Sequence, residues 1–193
     1  MATAIYSTTT QEGIDINSVF IKDTSTPEYP APPFLPGELA WGTDGTEWAY
    51  CTASITIAAG SAVLISQVPG SWSVALVGGS SVAAASNATG LLVGVVGGSQ
   101  GSLVVPAPSG TQTGTYFWVQ RAGNAPNVRT LASTTKLSQL YSVATLGGVL
   151  SSSGGGSGTT YQVNGIVISQ AAVGSAAGPN TAVLNWPVVG SGA

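Results

Sequence analysis

Two short motifs in the sequence have the spacing of serine-enzyme nucleophiles. Gly97-Gly98-Ser99-Gln100-Gly101 matches the G-x-S-x-G nucleophile elbow, and Ser133-Thr134-Thr135-Lys136 matches S-x-x-K. The first motif needs a histidine to accept the serine proton, and the chain contains no histidine. The second needs S-D-N or K-T-G partners, and neither occurs. We therefore predict no catalytic residues and expect that the chain is not an enzyme.

Metal and cofactor sites also lack the residues that they require. Zinc is usually held by Cys and His, and calcium by carboxylates at fixed loop spacing. The chain has one cysteine, Cys51, in an apolar stretch where we expect a small buried side chain. No Gly-rich stretch precedes Lys-Ser or Lys-Thr, so no phosphate cradle is indicated. We expect no metal and no cofactor.

The tryptophans are the side chains best suited to binding. They are Trp41, Trp48, Trp72, Trp118 and Trp186. Exposed together, such rings could form a platform that stacks on sugars, whereas in strands tryptophans more often serve as core residues or interface anchors. Both interpretations remain open.

Charge is scarce and unevenly placed. All acidic side chains lie in the first 47 residues: Glu12, Asp15, Asp23, Glu28, Glu38, Asp44 and Glu47. With Lys22 as the only base there, this segment has seven negative charges and one positive charge, a net charge of −6. The remaining residues carry only Arg121, Arg129 and Lys136. Because charged side chains normally dominate free surfaces, a folded body without them suggests faces covered by partners.

The same distribution argues against two classes of partner. Phosphate binding needs clustered bases, and three scattered ones do not form a nucleic-acid footprint. Apolar stretches such as residues 74–98 are interrupted by Gly, Ser and Asn before they reach the length of a membrane-spanning helix. We expect neither a nucleic acid nor a membrane as a partner.

Short apolar runs separated by Gly, Ser, Asn and Pro predict an all-β protein. Strands are predicted at residues 48–53, 54–57, 62–65, 72–77, 91–96, 103–105, 115–120, 140–143, 165–169 and 182–189. Thr43-Asp44-Gly45-Thr46 predicts a tight hairpin turn, and residues 132–141 predict the only helix. The expected fold is a small β-barrel or β-sandwich formed by residues 37–193.

Residues 1–36 predict an extended N-terminal arm. Its end, residues 27–36, is rich in proline, which fixes φ and removes hydrogen-bond donors. In polyproline geometry ten residues span about 30 Å, enough to reach a neighbouring subunit. A strap on the arm's own domain is the alternative.

Several segments, taken in order, resemble the capsid decoration proteins of tailed phages, also called head-stabilising or cement proteins. They are residues 42–53, 55–63, 90–95, 114–123, 165–168 and 183–187. The block Tyr116-Phe117-Trp118-Val119-Gln120 is the most specific, and the resemblance covers about residues 37–189. The Pro-rich arm has no counterpart in that pattern. The resemblance implies a β-rich protein on the outside of an icosahedral capsid, often trimeric, that contacts the major capsid protein.

The expected function is therefore that of a virion structural protein, a homo-oligomer that stabilises the capsid from its exterior. Candidate interface residues are the arm's apolar and acidic side chains, the latter complementing a basic capsid surface. They are Glu12, Asp15, Asp23, Tyr29, Phe34 and Leu35. The alternative is a head-fibre or tail-associated module that recognises host glycans, which an exposed tryptophan near amide side chains would favour.

Overall fold

The computed structural model describes residues 5–7, 13–25, 31–68, 71–78, 91–97, 103–132, 134–153, 160–170 and 178–192. These residues form strands, turns and bends, and no helix. The strands are β1 Ile5–Ser7, β2 Gly13–Ile14, β3 Phe20–Asp23, β4 Leu39–Gly42, β5 Glu47–Ala53, β6 Ala62–Val68, β7 Ser71–Leu76, β8 Leu92–Val96, β9 Gln112–Thr130, β10 Leu140–Ser142, β11 Leu150–Ser151, β12 Tyr161–Ile168 and β13 Gly178–Gly192. The all-β prediction is confirmed.

The strands pair in two closed circuits that share β9. The first half of β9 pairs with β5 and β8, and the circuit continues through β7 and β6. The second half pairs with β13, and that circuit returns through β12, β10 and β11. The long strand β9 therefore joins the two halves of the sheet, and the pairing of Val188 on β13 with Leu92 on β8 joins them a second time.

Alternate residues of β5 face different hydrophobic clusters, as the two-residue period of a strand requires. In β5, Ala49 and Cys51 belong to a cluster that draws on all five strands of the first circuit. Trp48 and Tyr50 point to the opposite side and belong to a separate aromatic cluster. A third cluster draws on the strands of the second circuit. Both faces of β5 are therefore covered, which explains its nearly continuous burial.

The described parts of the predicted arm lie on the chain's own sheet. Strand β1 pairs with β4, and β3 pairs with β9. Phe34 packs edge-on against Tyr50 and Trp118, with ring centroids 5.4 and 5.0 Å away. Ile14 and Ile16 are buried in the same aromatic cluster. These contacts place the described arm residues as a strap over β5 and β9.

The hairpin and most strand predictions are confirmed, but three local predictions are wrong. The described residues of this stretch, 132 and 134–141, form turns and irregular chain followed by β10 and not a helix, because Leu137 has a φ of 59° and interrupts any helical run. Residues 54–57 and 103–105 do not form strands. They meet in a single bridge between Ile57 and Val105, because bends at 54–55 take the chain out of the sheet.

Candidate interaction surface

The motifs with enzyme-like spacing do not form a site in the part of the chain that the structure describes. Ser99 and Ser133 both lie outside the described residues. Within them, no three His, Cys, Asp or Glu side chains come together as metal ligands, and no helix has the length and apolar character to span a membrane. Cys51 is fully buried, and this burial raises the pKa of its thiol to about 12. A protonated, inaccessible thiol is a poor nucleophile.

The predicted interface residues of the arm differ in their exposure and in the contacts that they make. Glu12 and Tyr29 lie outside the described residues. The carboxylate of Asp15 accepts a hydrogen bond of 2.9 Å from the main-chain N–H of Asn17 and so caps a local turn. Leu35 is 77% exposed, whereas Phe34 packs against the aromatic cluster.

Asp23 also makes contacts within its own chain. Its carboxylate accepts hydrogen bonds from the Thr111 hydroxyl at 2.6 Å and from the Ser25 amide at 2.8 Å. These bonds, the one from Thr111 above all, hold the pKa of the Asp23 carboxyl below its ordinary value. Of the predicted set, only Leu35 therefore presents a large apolar side chain to solvent among the described residues.

The tryptophans separate into core and surface residues. Trp48 and Trp118 are completely buried in the aromatic cluster, and Trp72 packs against the first-circuit cluster. Trp41 on β4 is 43% exposed and Trp186 on β13 is 53% exposed. Because the other rings are buried or packed against a core cluster, the five tryptophans do not form one exposed platform. The two exposed rings lie on different strands.

Trp186 has an unusual backbone conformation. Its φ is 42°, and among the described residues only Leu137 shares a positive φ without being glycine. Trp186 lies in a bulge where residues 185–187 of β13 oppose the single Gly165 of β12. A Cβ at Gly165 would approach the carbonyl oxygen of Asn185 to 2.7 Å, so only glycine fits there. Left-handed geometry costs a bulky residue about 1–3 kcal/mol, which the surrounding structure must offset.

A nearly buried ion pair fixes the indole of Trp186. The indole N–H donates a hydrogen bond of 2.9 Å to Oε2 of Glu47 on β5. The other carboxylate oxygen, Oε1, lies 3.3 Å from Nη1 of Arg121 on β9, and the two side chains are only 10% and 12% exposed. The Arg121 guanidinium carbon also lies 6.0 Å from the ring centroid of Trp72. Glu47 on β5 thus contacts Arg121 on β9 and the exposed ring of Trp186 on β13, and so connects three strands.

Exposed apolar side chains lie on β12 and β13, the strands that carry the bulge at Trp186. Val167 on β12 and Val183 on β13 are direct cross-strand partners and are 43% and 46% exposed. Leu137, 70% exposed, lies beside them, because its amide donates a hydrogen bond of 3.2 Å to the carbonyl of Ile168. Neither β12 nor β13 contains a charged residue. We give the name β12–β13 face to the exposed apolar side chains of Val167, Val183 and Trp186 on these two strands and of Leu137 beside Ile168.

Amide side chains border this face. Asn124 pairs with Val183, and Asn185 directly precedes Trp186; both are exposed. Asn164, also exposed, precedes Gly165 and accepts a hydrogen bond of 2.9 Å from Gln162. Exposed apolar patches with a polar rim are typical of interaction sites, and tryptophan is enriched among the residues that dominate binding energy.

No protein-family model, curated protein or solved structure matches the chain. The geometry of the β12–β13 face and the order of the sequence motifs therefore carry the functional interpretation. In the sequence alone, Trp186 is one of five aromatic candidates, and Glu47 and Arg121 are isolated charges. Their association depends on strand register, for which no short-range sequence signal exists.

Proposed function

We propose that this chain is a virion structural protein that decorates an icosahedral capsid and stabilises it by binding the major capsid protein. The supporting observation is the β12–β13 face, which exposes Trp186, Val183 and Val167 without any charge on its two strands. A free surface of this kind is costly in water, and a protein partner removes that cost. The order of the sequence motifs supports the same class of partner.

Stabilisation in this proposal comes from buried area. Stable protein pairs commonly bury about 1,600 Å², and repetition over a closed shell multiplies the effect of a modest contact. Trp186 is the central anchor, and Leu35 is a second contact from the arm segment. The protein acts as a homo-oligomer, with a trimer favoured, on the outside of the capsid.

The experiment is co-sedimentation of the full chain with shells assembled from the major capsid protein of the same genome. We expect the wild-type chain to bind, Trp186→Ala and Val183→Lys to weaken binding at least about 30-fold, and Leu35→Asp to weaken it less. Trp41→Ala is the matched control, since Trp41 is similarly exposed on a different strand. A wild-type chain that does not sediment with shells would refute the proposal.

Substitutions are preferable to truncation for this test. Removing residues 1–36 would delete β3, which pairs with β9, and Phe34, which packs on Trp118. Lost binding would then report a damaged fold as readily as a lost contact. Leu35→Asp changes an exposed side chain and leaves those contacts in place.

A second candidate function is recognition of host glycans by a head-fibre or tail-associated module. It is favoured by the exposed indole of Trp186 beside the exposed amides of Asn124 and Asn185. Amide groups both donate and accept hydrogen bonds, as sugar hydroxyls require, and the indole offers an apolar face. A glycan array with the labelled chain separates the two functions, because a decoration protein binds shells and no sugar.

A further inference from the structure

Trp186 and the Glu47–Arg121 ion pair are in contact through the Glu47 carboxylate, and neither is a strong stabiliser of the fold. Trp186 combines a φ of 42° with a ring that is 53% exposed, so neither its backbone nor its burial favours folding. The ion pair below it is also a weak stabiliser, because pairing in a nearly buried site only partly offsets desolvation of the two charges. In addition, the buried Nε of Arg121 has no hydrogen-bond partner.

We propose that Glu47 is a positioning residue, held in place by Arg121, that fixes the exposed indole of Trp186 in one orientation before any partner binds. The two carboxylate oxygens have separate contacts, since Oε2 accepts the bond from the indole and Oε1 pairs with Arg121. An exposed tryptophan without such a contact would sample several rotamers. Ordering a rotamer-rich side chain on binding costs about 0.5–1.5 kcal/mol, so a fixed ring gains affinity.

Further contacts extend from Arg121 through Trp72 to the turn at Gly37. The Arg121 guanidinium lies over Trp72, and the Trp72 ring lies against Gly37, where an added Cβ would be 2.5 Å from the indole nitrogen of Trp72. Trp72 thus limits where the guanidinium can move, and Arg121 limits where the carboxylate can move. The positioning of Trp186 therefore depends on residues from four separate strands or turns.

This inference rests on the proposed function only in taking the β12–β13 face as the docking surface. The positioning itself can be measured on the chain alone. The full chain is labelled with ¹⁵N-indole tryptophan, and the signal that disappears in Trp186→Phe assigns the N–H of Trp186. Hydrogen exchange of that N–H is then compared among variants with the same far-UV circular dichroism.

The decisive variant is Glu47→Leu combined with Arg121→Leu, which removes both charges together and so leaves no unpaired charge in the site. We expect the Trp186 indole N–H to exchange at least about tenfold faster and its resonance to move. Glu47→Gln combined with the same Arg121→Leu restores an acceptor oxygen without an unpaired charge, and we expect it to return most of the protection. Glu38→Gln, a carboxylate substitution in the turn before β4, is the matched control and should leave the signal unchanged.

Should the double variant not fold, Glu47→Asp replaces it. Aspartate keeps the negative charge but is shorter by one methylene, so we expect it to leave the indole N–H unprotected. An unchanged exchange rate in the double variant, or in Glu47→Asp where that is used, would overturn the positioning role whether or not the wild-type chain binds shells. Faster exchange together with failure of the wild-type chain to bind shells would support the positioning and refute the proposed function.

Discussion

Glu47 on β5 and Trp186 on β13 are joined by a hydrogen bond of 2.9 Å between the carboxylate and the indole N–H. The bond holds a ring whose backbone lies in the left-handed region, with a φ of 42°. Because L-residues with a Cβ are strained there, a Trp186 variant without a Cβ should be more stable than one that keeps it.

We expect Trp186→Gly to be more stable than Trp186→Ala by about 1 kcal/mol. Both substitutions remove the indole and its hydrogen bond, and they differ only in the Cβ. Trp41 is the control, because it is exposed on β4 without a positive φ. There the order should reverse, with glycine less stable by about 0.5–1 kcal/mol. Urea unfolding of the four variants measures both differences, and the same sign at both positions would contradict the prediction.

Gly60 and Gly110 offer a second matched comparison. Both have positive φ, 74° and 60°, but a Cβ at Gly60 would overlap the main-chain carbonyl oxygen of Asn127, whereas a Cβ at Gly110 would meet nothing within 4 Å. We expect Gly110→Ala to lower the free energy of unfolding by about 1 kcal/mol and Gly60→Ala to lower it by about 3 kcal/mol or more. Equal losses in thermal or urea unfolding would show that the close approach at Gly60 is not rigid.

Replacing Tyr50 with phenylalanine should stabilise the protein. The Tyr50 hydroxyl is buried without a hydrogen-bond partner, and burial raises the pKa of that hydroxyl above its ordinary value. Since the ring contacts with Phe34 and Trp118 remain, we expect a gain of about 1 kcal/mol in the free energy of unfolding. Tyr116→Phe, in the half-buried neighbour, should change it by less than about 0.5 kcal/mol. A loss of stability in Tyr50→Phe would mean that a bound water satisfies the hydroxyl.

Cys51 should make stability decline in alkaline solution. Burial raises the pKa of its thiol to about 12 in the folded protein, whereas an unfolded thiol ionises at about pH 8.5. The folded state therefore retains a proton that the unfolded state has lost, and the free energy of unfolding falls by up to about 1.4 kcal/mol per pH unit between these values. Between about pH 9 and 10, wild type should lose about 1 kcal/mol more than Cys51→Ala in urea unfolding. Parallel curves would contradict the prediction.

Local sequence signals were sufficient for the strands that are apolar and β-branched, such as β6 and β8, and for the Asp44-Gly45 hairpin between β4 and β5. They were insufficient for β9, which was predicted only at residues 115–120 but extends from Gln112 to Thr130. Gly123, Asn124 and Pro126 interrupt its apolar pattern. Pairing with β5 and then with β13 nevertheless carries the strand through this stretch.

The candidate surface was less predictable than the fold. Composition indicated uncharged faces, but not which strands form them. Whether Trp41, Trp72 or Trp186 is exposed depends on register, since a shift of one residue moves a side chain to the other face. The left-handed φ of Trp186 could not be predicted, because only the register shift opposite Gly165 reveals it. The helix prediction at residues 132–141 was wrong for a similar reason. The Leu137 amide donates a hydrogen bond to the carbonyl of Ile168, a residue distant in sequence, and no local pattern reveals that contact.

The sharing of β9 between the two strand circuits has a mechanical consequence. Separating either half would break hydrogen bonds of β9, which pairs with strands of both halves, and would break the β8–β13 pairing as well, so neither half is expected to open by itself. A load applied at the β12–β13 face would be transmitted through β9 to β5 and the strap behind it. We therefore expect the two halves to unfold together under force.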